Sequence, residues 1–256
     1  MGKIIAVVNQ KGGVGKTTTA INLSACLAAE GKKVLAVDAD QQGNTTSGLG
    51  LDKNGIPDTI YNVFLGEKTI SDVKQPTCVE GLEVVPANIN LTGAEIELIG
   101  NDRREYILRE SLEEIKDDYD FIIIDCPPSL NMITVNALVA ADTVLVPIQC
   151  EYFALEGLTQ LLSTIRLVQR LWNPGLSIEG VLLTMFDVRT KLSVEVQQEV
   201  RKYFKEKVYR CYIPRNVRLS EAPSRGESIF EYDTRSEGAK AYVGLVKEVI
   251  SQNEKR

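Results

Sequence analysis

The chain has 256 residues, 44% of them hydrophobic and 25% charged, which suits an ordinary water-soluble globular protein with a sizeable core. No apolar run approaches the length of a membrane span, and Gly2-Lys3 leads straight into a strand pattern rather than a signal peptide. With a net charge of −6 and no histidine, the chain is not basic throughout, and any catalysis falls to carboxylates, lysines, hydroxyls and a metal.

Ile4-Ile5-Ala6-Val7-Val8 reads as the first buried strand, and Gln10-Lys11-Gly12-Gly13-Val14-Gly15-Lys16-Thr17-Thr18 follows it. A helix is predicted from about Lys16 to Glu30, ended by Gly31. Strand, glycine-rich turn and helix start together make a phosphate cradle, because glycines let successive N–H groups turn toward an anion and the helix N-terminus adds positive potential. In that setting Lys16 supplies a charge to β- and γ-phosphates and the Thr17 hydroxyl a ligand for Mg²⁺. The strict P-loop pattern asks for glycine where Gln10 stands, and Lys11 is a second lysine at the entrance.

Val34 to Val37 is the next strand, ending in Asp38-Ala39-Asp40-Gln41-Gln42-Gly43-Asn44. Carboxylates there lie where open α/β sheets bind ligands, although by residue type alone they read equally well as loop carboxylates or caps. The stretch from Leu49 to Thr77 is irregular apart from a short helix at 60–65. A strand at 82–87, a segment around Ala94–Leu98 suited to packing, and a helix at 104–116 come next. Phe121 to Ile124 is a doubly buried strand ending in Asp125-Cys126-Pro127-Pro128-Ser129, and Asp125 is placed to hold a Mg²⁺ shell through water. Helices at 131–140, 153–172, 193–206 and 237–251 then alternate with strands at 143–148 and 178–184.

This alternation predicts one α/β domain over 1–256, a doubly wound, mostly parallel sheet with helices on both faces. The five cysteines are widely spaced with no C-x-x-C pair, which predicts buried free thiols in a reducing cytoplasm. Residues 186–227 carry ten Lys/Arg against six Asp/Glu, so an acidic protein holds one basic segment.

Four separated motifs agree in order: the two-lysine P-loop, Asp38–Asn44, Asp125–Ser129, and Ile213-Pro214-Arg215-Asn216-Val217-Arg218-Leu219-Ser220-Glu221-Ala222-Pro223. Together they resemble the ParA/Soj family of chromosome-partitioning ATPases, a branch of the ParA/MinD deviant Walker A superfamily. The likeness runs from Lys3 to about Val243. It implies a Mg²⁺-dependent ATPase that cradles ATP with Lys11, Gly12, Gly13, Val14, Gly15, Lys16, Thr17 and Thr18, and holds its base with Pro214 and Asn216. Thr17 and Asp125 would serve the metal, with Asp38 beside it. Asp40 would orient the attacking water, and Lys11 would reach the nucleotide of a second subunit in an ATP-dependent homodimer. The resemblance further implies non-specific binding of double-stranded DNA, a ParB-type partner, and a place on the nucleoid in the cytoplasm. Arg189 and Arg218 are the leading DNA contacts, followed by Lys202, Lys205 and Arg215. A MinD-like membrane regulator is the alternative, and it would need the last helix free for lipid.

Overall fold

Runs of branched apolar residues bounded by glycine or polar turns can satisfy their backbone only in a sheet covered on both faces. The computed structural model of the chain describes residues 2–151 and 156–254. Among the described residues, eight strands form one sheet: β1 (Lys3–Val7), β2 (Val34–Asp38), β3 (Gln75–Pro76), β4 (Leu82–Val85), β5 (Phe121–Asp125), β6 (Thr143–Gln149), β7 (Ser177–Phe186) and β8 (Val208–Pro214). Their order is β3-β4-β2-β5-β1-β6-β7-β8, parallel throughout except for the short antiparallel β3–β4 pair.

The described residues further form the α-helices α1 (Lys16–Ala29), α2 (Asn44–Gly48), α3 (Ile60–Phe64), α4 (Ile70–Val73), α5 (Leu91–Glu97), α6 (Ile107–Glu113), α7 (Met132–Ala140), α8 (Glu156–Leu171), α9 (Lys191–Phe204), α10 (Val217–Glu221), α11 (Ile229–Tyr232) and α12 (Glu237–Glu254). The pleat divides the core in two. In β1, Ile4 and Ala6 face the layer of α3 to α9, whereas Ile5 and Val7 face α1 and α10 to α12. Tyr242, Leu245, Val246 and Val249 of α12 are buried in that second layer, so its apolar stripe covers the sheet instead of facing lipid. Among the described residues, no helix is long and apolar enough to cross a membrane.

The predicted helix at 104–116 is only 107–113, because Asn136 of α7 takes the Leu108 amide at 3.1 Å and sets its start. The start of the predicted helix at 153–172, including Phe153, lies outside the described residues. Strand β8 has no counterpart among the predicted strands. It is an edge strand with Arg210 and Tyr212 exposed, and an edge tolerates the polar residues that hide its pattern. The thiol expectation also needs correction. Cys26, Cys126 and Cys150 are buried, but Cys211 is half-buried and Cys78 is exposed on the loop after β3.

One side chain ties the end of α7 to the sheet. Asn173 Nδ2 donates to the carbonyls of Leu138, Val139 and Ala141 at 3.0, 3.1 and 2.8 Å. Replacing Asn173 with Asp turns an oxygen toward three carbonyls, and the loss should be at least about 1–3 kcal/mol. Urea unfolding reads this directly, and an unchanged midpoint would refute it.

Candidate functional site

The parallel strands deliver their carboxyl ends to one side of the sheet, and register sets the spacing there. Asp38 at the end of β2 and Val7 at the end of β1 both pair with Asp125 at the end of β5. Two carboxylates are thereby held on adjacent strands, both fully buried. Asp125 Oδ2 accepts the hydroxyls of Thr17 and Thr45, each at 2.8 Å, whereas its Oδ1 has no hydrogen-bond partner. Asp38 is fully committed. One of its oxygens accepts the Asp40 amide at 3.2 Å, and the other accepts the amide and hydroxyl of Thr46 at 2.8 and 2.7 Å.

Burial pushes both carboxyls above the ordinary range. At Asp125 the charge of Asp38 adds to the rise, and the Thr45 and Thr17 hydroxyls oppose it. An unpaired oxygen on so buried a carboxylate is costly, and a cation or its water would relieve it. Thr17 and Asp125 thus present an all-oxygen donor set that fits a small hard cation such as Mg²⁺.

The loop between β1 and α1 is shaped for an anion. Gly13 and Gly15 have φ of 74° and 91°, a left-handed conformation in which a side chain would be strained. The N-terminus of α1 has no side-chain cap and no acidic residue in its first turn, so its orphan amides and dipole face outward unopposed. Thr184 at the end of β7 donates to the Val14 carbonyl at 2.8 Å. Asn9 accepts the Lys11 amide at 3.0 Å while its own Nδ2 donates to the Pro147 carbonyl of β6 at 2.6 Å.

The two lysines differ sharply. Lys16 is buried, with Nζ donating to the Lys11 carbonyl at 3.1 Å. Burial lowers its pKa, and the carboxylates of Asp125 and, more weakly, Asp40 pull the other way. Lys11 is part-exposed and ion-paired with Glu151 at 2.9 Å. Such exposed pairs contribute only about 0–1 kcal/mol, so a stronger anion can draw Lys11 away.

Asp40 is buried beside them. Its Oδ1 accepts the Gln42 amide at 2.9 Å and its carbonyl accepts the Gly43 amide at 2.9 Å, which fixes the loop around it. On the other flank, Pro214 and Asn216 join Gly15, Thr18 and Met185 around a cavity of about 320 Å³. Asn216 spends its carboxamide oxygen on the Arg218 amide at 2.8 Å, capping α10 and leaving its NH₂ for a ligand. Met185 has φ of 49°, backbone strain of the kind that gathers at binding sites.

An AAA domain model matches residues 2–178. The sporulation initiation inhibitor protein Soj of Bacillus subtilis is 59% identical over 251 residues, 98% of this chain and 99% of its own. The chromosome-partitioning ATPase Soj of Treponema pallidum is 52% identical over 256 residues, 100% of each chain. This chain belongs to the ParA/Soj family. Among solved structures, cobyrinic acid a,c-diamide synthase of Mycobacterium smegmatis with bound ATP analog and magnesium aligns at a TM-score of 0.88 and 38% identity, covering 99% of this chain and 96% of that one.

Three of the five basic residues that the ParA/Soj likeness singles out are ion-paired. Arg189 pairs with Asp187 at 2.8 Å, Lys202 with Glu199 at 2.5 Å, and Arg218 with Glu221 at 2.9 Å. Lys205 shares an open cleft with Arg201, Arg210 and Lys247, and Arg215 lines the cavity beside Asn216. Asp38 stands beside Asp125 across β2 and β5, and its carboxylate also braces the following loop through Thr46. Asn9, Thr45 and Glu151 had no role in the sequence reading. They are brought to the site by tertiary packing, and only the position of Thr45 shortly after the Asp-rich turn hinted at one.

Proposed function

We propose that this chain is a Mg²⁺-dependent partitioning ATPase in which ATP bound at the N-terminus of α1 joins two copies into a DNA-binding dimer. The observation that carries this reading is buried Lys16 and Asp125 with half-buried Thr17 between them, one Asp125 oxygen being unpaired beside an uncapped helix end. Lys16 and the loop amides hold the β- and γ-phosphates, and the cavity at Pro214 and Asn216 takes the base. Thr17 and Asp125 would hold Mg²⁺, which neutralises phosphate charge when bound. Asp40 orients the attacking water through the carboxylate oxygen that Gln42 leaves free.

Lys11 leaves Glu151 to contact phosphate of the facing subunit. A cation arriving from the partner makes ATP part of the interface, so hydrolysis loosens the dimer. Lys11→Ala should therefore keep monomer ATP binding but weaken ATP-dependent dimerisation by about tenfold or more. Sedimentation velocity with ATP and with ADP separates the two effects, and an intact ATP dimer in the variant would reassign Lys11.

Pairing two copies doubles the basic surface contributed by Arg189, Arg218, Lys202, Lys205 and Arg215, which couples nucleotide state to affinity for double-stranded DNA. Affinity for DNA of any sequence should then be higher with ATP than with ADP, and should fall steeply with added salt. Filter binding across a salt series tests this, and equal retention in both nucleotides would defeat it. A ParB-type partner would stimulate turnover and so release the ATPase from the nucleoid. Hydrolysis measured with and without such a partner tests that step.

A further inference from the structure

The carboxylate at the end of β5 contacts two separate segments of the candidate site at once. Asp125 Oδ2 accepts Thr17 from the phosphate loop and Thr45 from α2, both at 2.8 Å. Thr45 is fully buried. Its neighbour Thr46, about 100° further round the helix, is held elsewhere: it donates to Asp38 at 2.7 Å and accepts the Ala87 amide at 2.9 Å. Consecutive threonines thus anchor one short helix to two strand ends, and only one of those anchors touches the candidate cation site.

The Asp125 carboxylate is held from one side alone. Both of its hydrogen bonds reach Oδ2, and Oδ1 has none. Asp125 would hold a cation or its water at Oδ1, and its carboxylate plane, the acceptor that Thr45 needs, would then be fixed from both sides. We propose that Thr45 is a positioning residue that couples cation occupancy at Thr17 and Asp125 to the order of residues 43–51. The coupling rests on the nucleotide-and-metal reading above. Thr46, anchored on Asp38, holds the same segment independently of the cation.

The test is hydrogen exchange over residues 43–51 of the full chain with ADP, in Mg²⁺ and in EDTA. The amides of Ser47 and Leu49, bonded to the Gly43 and Thr45 carbonyls at 3.1 and 3.0 Å, are the reporters. In the unmodified chain Mg²⁺ should slow their exchange by about tenfold, within the usual range of coupling between sites. Thr45→Val should abolish that Mg²⁺ dependence and Thr45→Ser should restore it. Thr46→Val should speed exchange in both conditions and keep the dependence. A merely structural Thr45 predicts faster exchange with the Mg²⁺ dependence intact, and that result would overturn the proposal. So would equal protection in Mg²⁺ and EDTA in the unmodified chain, an outcome that needs no variant to fold. Calorimetric titration with Mg²⁺·ADP reads the underlying site separately. No binding there would remove both readings, whereas binding without Mg²⁺-dependent protection would remove only the coupling.

Discussion

Lys16→Ala should weaken ATP binding by about 10- to 100-fold, the loss of one charge-assisted contact worth about 1.5–3 kcal/mol. The same substitution should leave the melting temperature of the nucleotide-free protein unchanged or raised. The sign follows from burial. The folded chain lowers the Lys16 pKa, so keeping the ammonium charged there opposes folding at every pH below the ordinary lysine value, and the opposition fades as pH rises toward it. On the proposed function, a cation kept buried at this cost would serve to bind an anion. Paired thermal melts with and without ATP read both effects. A variant that melts lower without nucleotide, yet keeps the ATP-dependent shift, would make Lys16 a structural residue.

Asp40→Ala should bind ATP within a few-fold of the unmodified chain and lose turnover by about 10²–10⁴-fold, the usual contribution of a positioned acid or base. On the proposed mechanism, in which hydrolysis loosens the dimer, the variant should accumulate as an ATP dimer. Asp40 suits this role because the Gln42 amide fixes one carboxylate oxygen at 2.9 Å and leaves the other to orient a water. Asp40→Asn keeps the shape and removes the charge, so it separates orientation from proton acceptance. A steady-state phosphate-release assay with ATP decides the matter. Normal turnover in Asp40→Ala would assign the water to another group.

Much of the fold was legible because parallel strands buried on both faces announce themselves as unbroken apolar runs. Ile4–Val8, Val34–Val37 and Phe121–Ile124 each end in the residues that line the site, so the strand pattern and the chemistry pointed to the same places. What stayed hidden depends on register or on distant partners. Nothing in the sequence says that Asp38 and Asp125 are paired across β2 and β5, or that this burial leaves one carboxylate committed and the other open. The Lys11–Glu151 pair joins residues on β1 and β6 loops that no local pattern connects. Between Leu49 and Thr77 the sequence showed α3 but not α4, which is a single turn. Both are held by capping boxes from Thr59 and Thr69, a signal easily lost among glycines.

Pro147 shows how the sheet opens without leaving a bond unmade. In a strand, the amide and carbonyl of one residue point to the same neighbour, and successive residues alternate. The Val8 amide bonds the Leu145 carbonyl at 3.1 Å, so Leu145 faces β1, and by alternation Pro147 does too. At that level β1 has already turned away into the phosphate loop, and the paired ladder between the strands stops at Leu145. Any other residue at 147 would present an N–H to a gap. Proline has none to present, and its carbonyl is taken by Asn9 at 2.6 Å. Beyond Leu145, β1 and β6 therefore part with their hydrogen-bonding demands met.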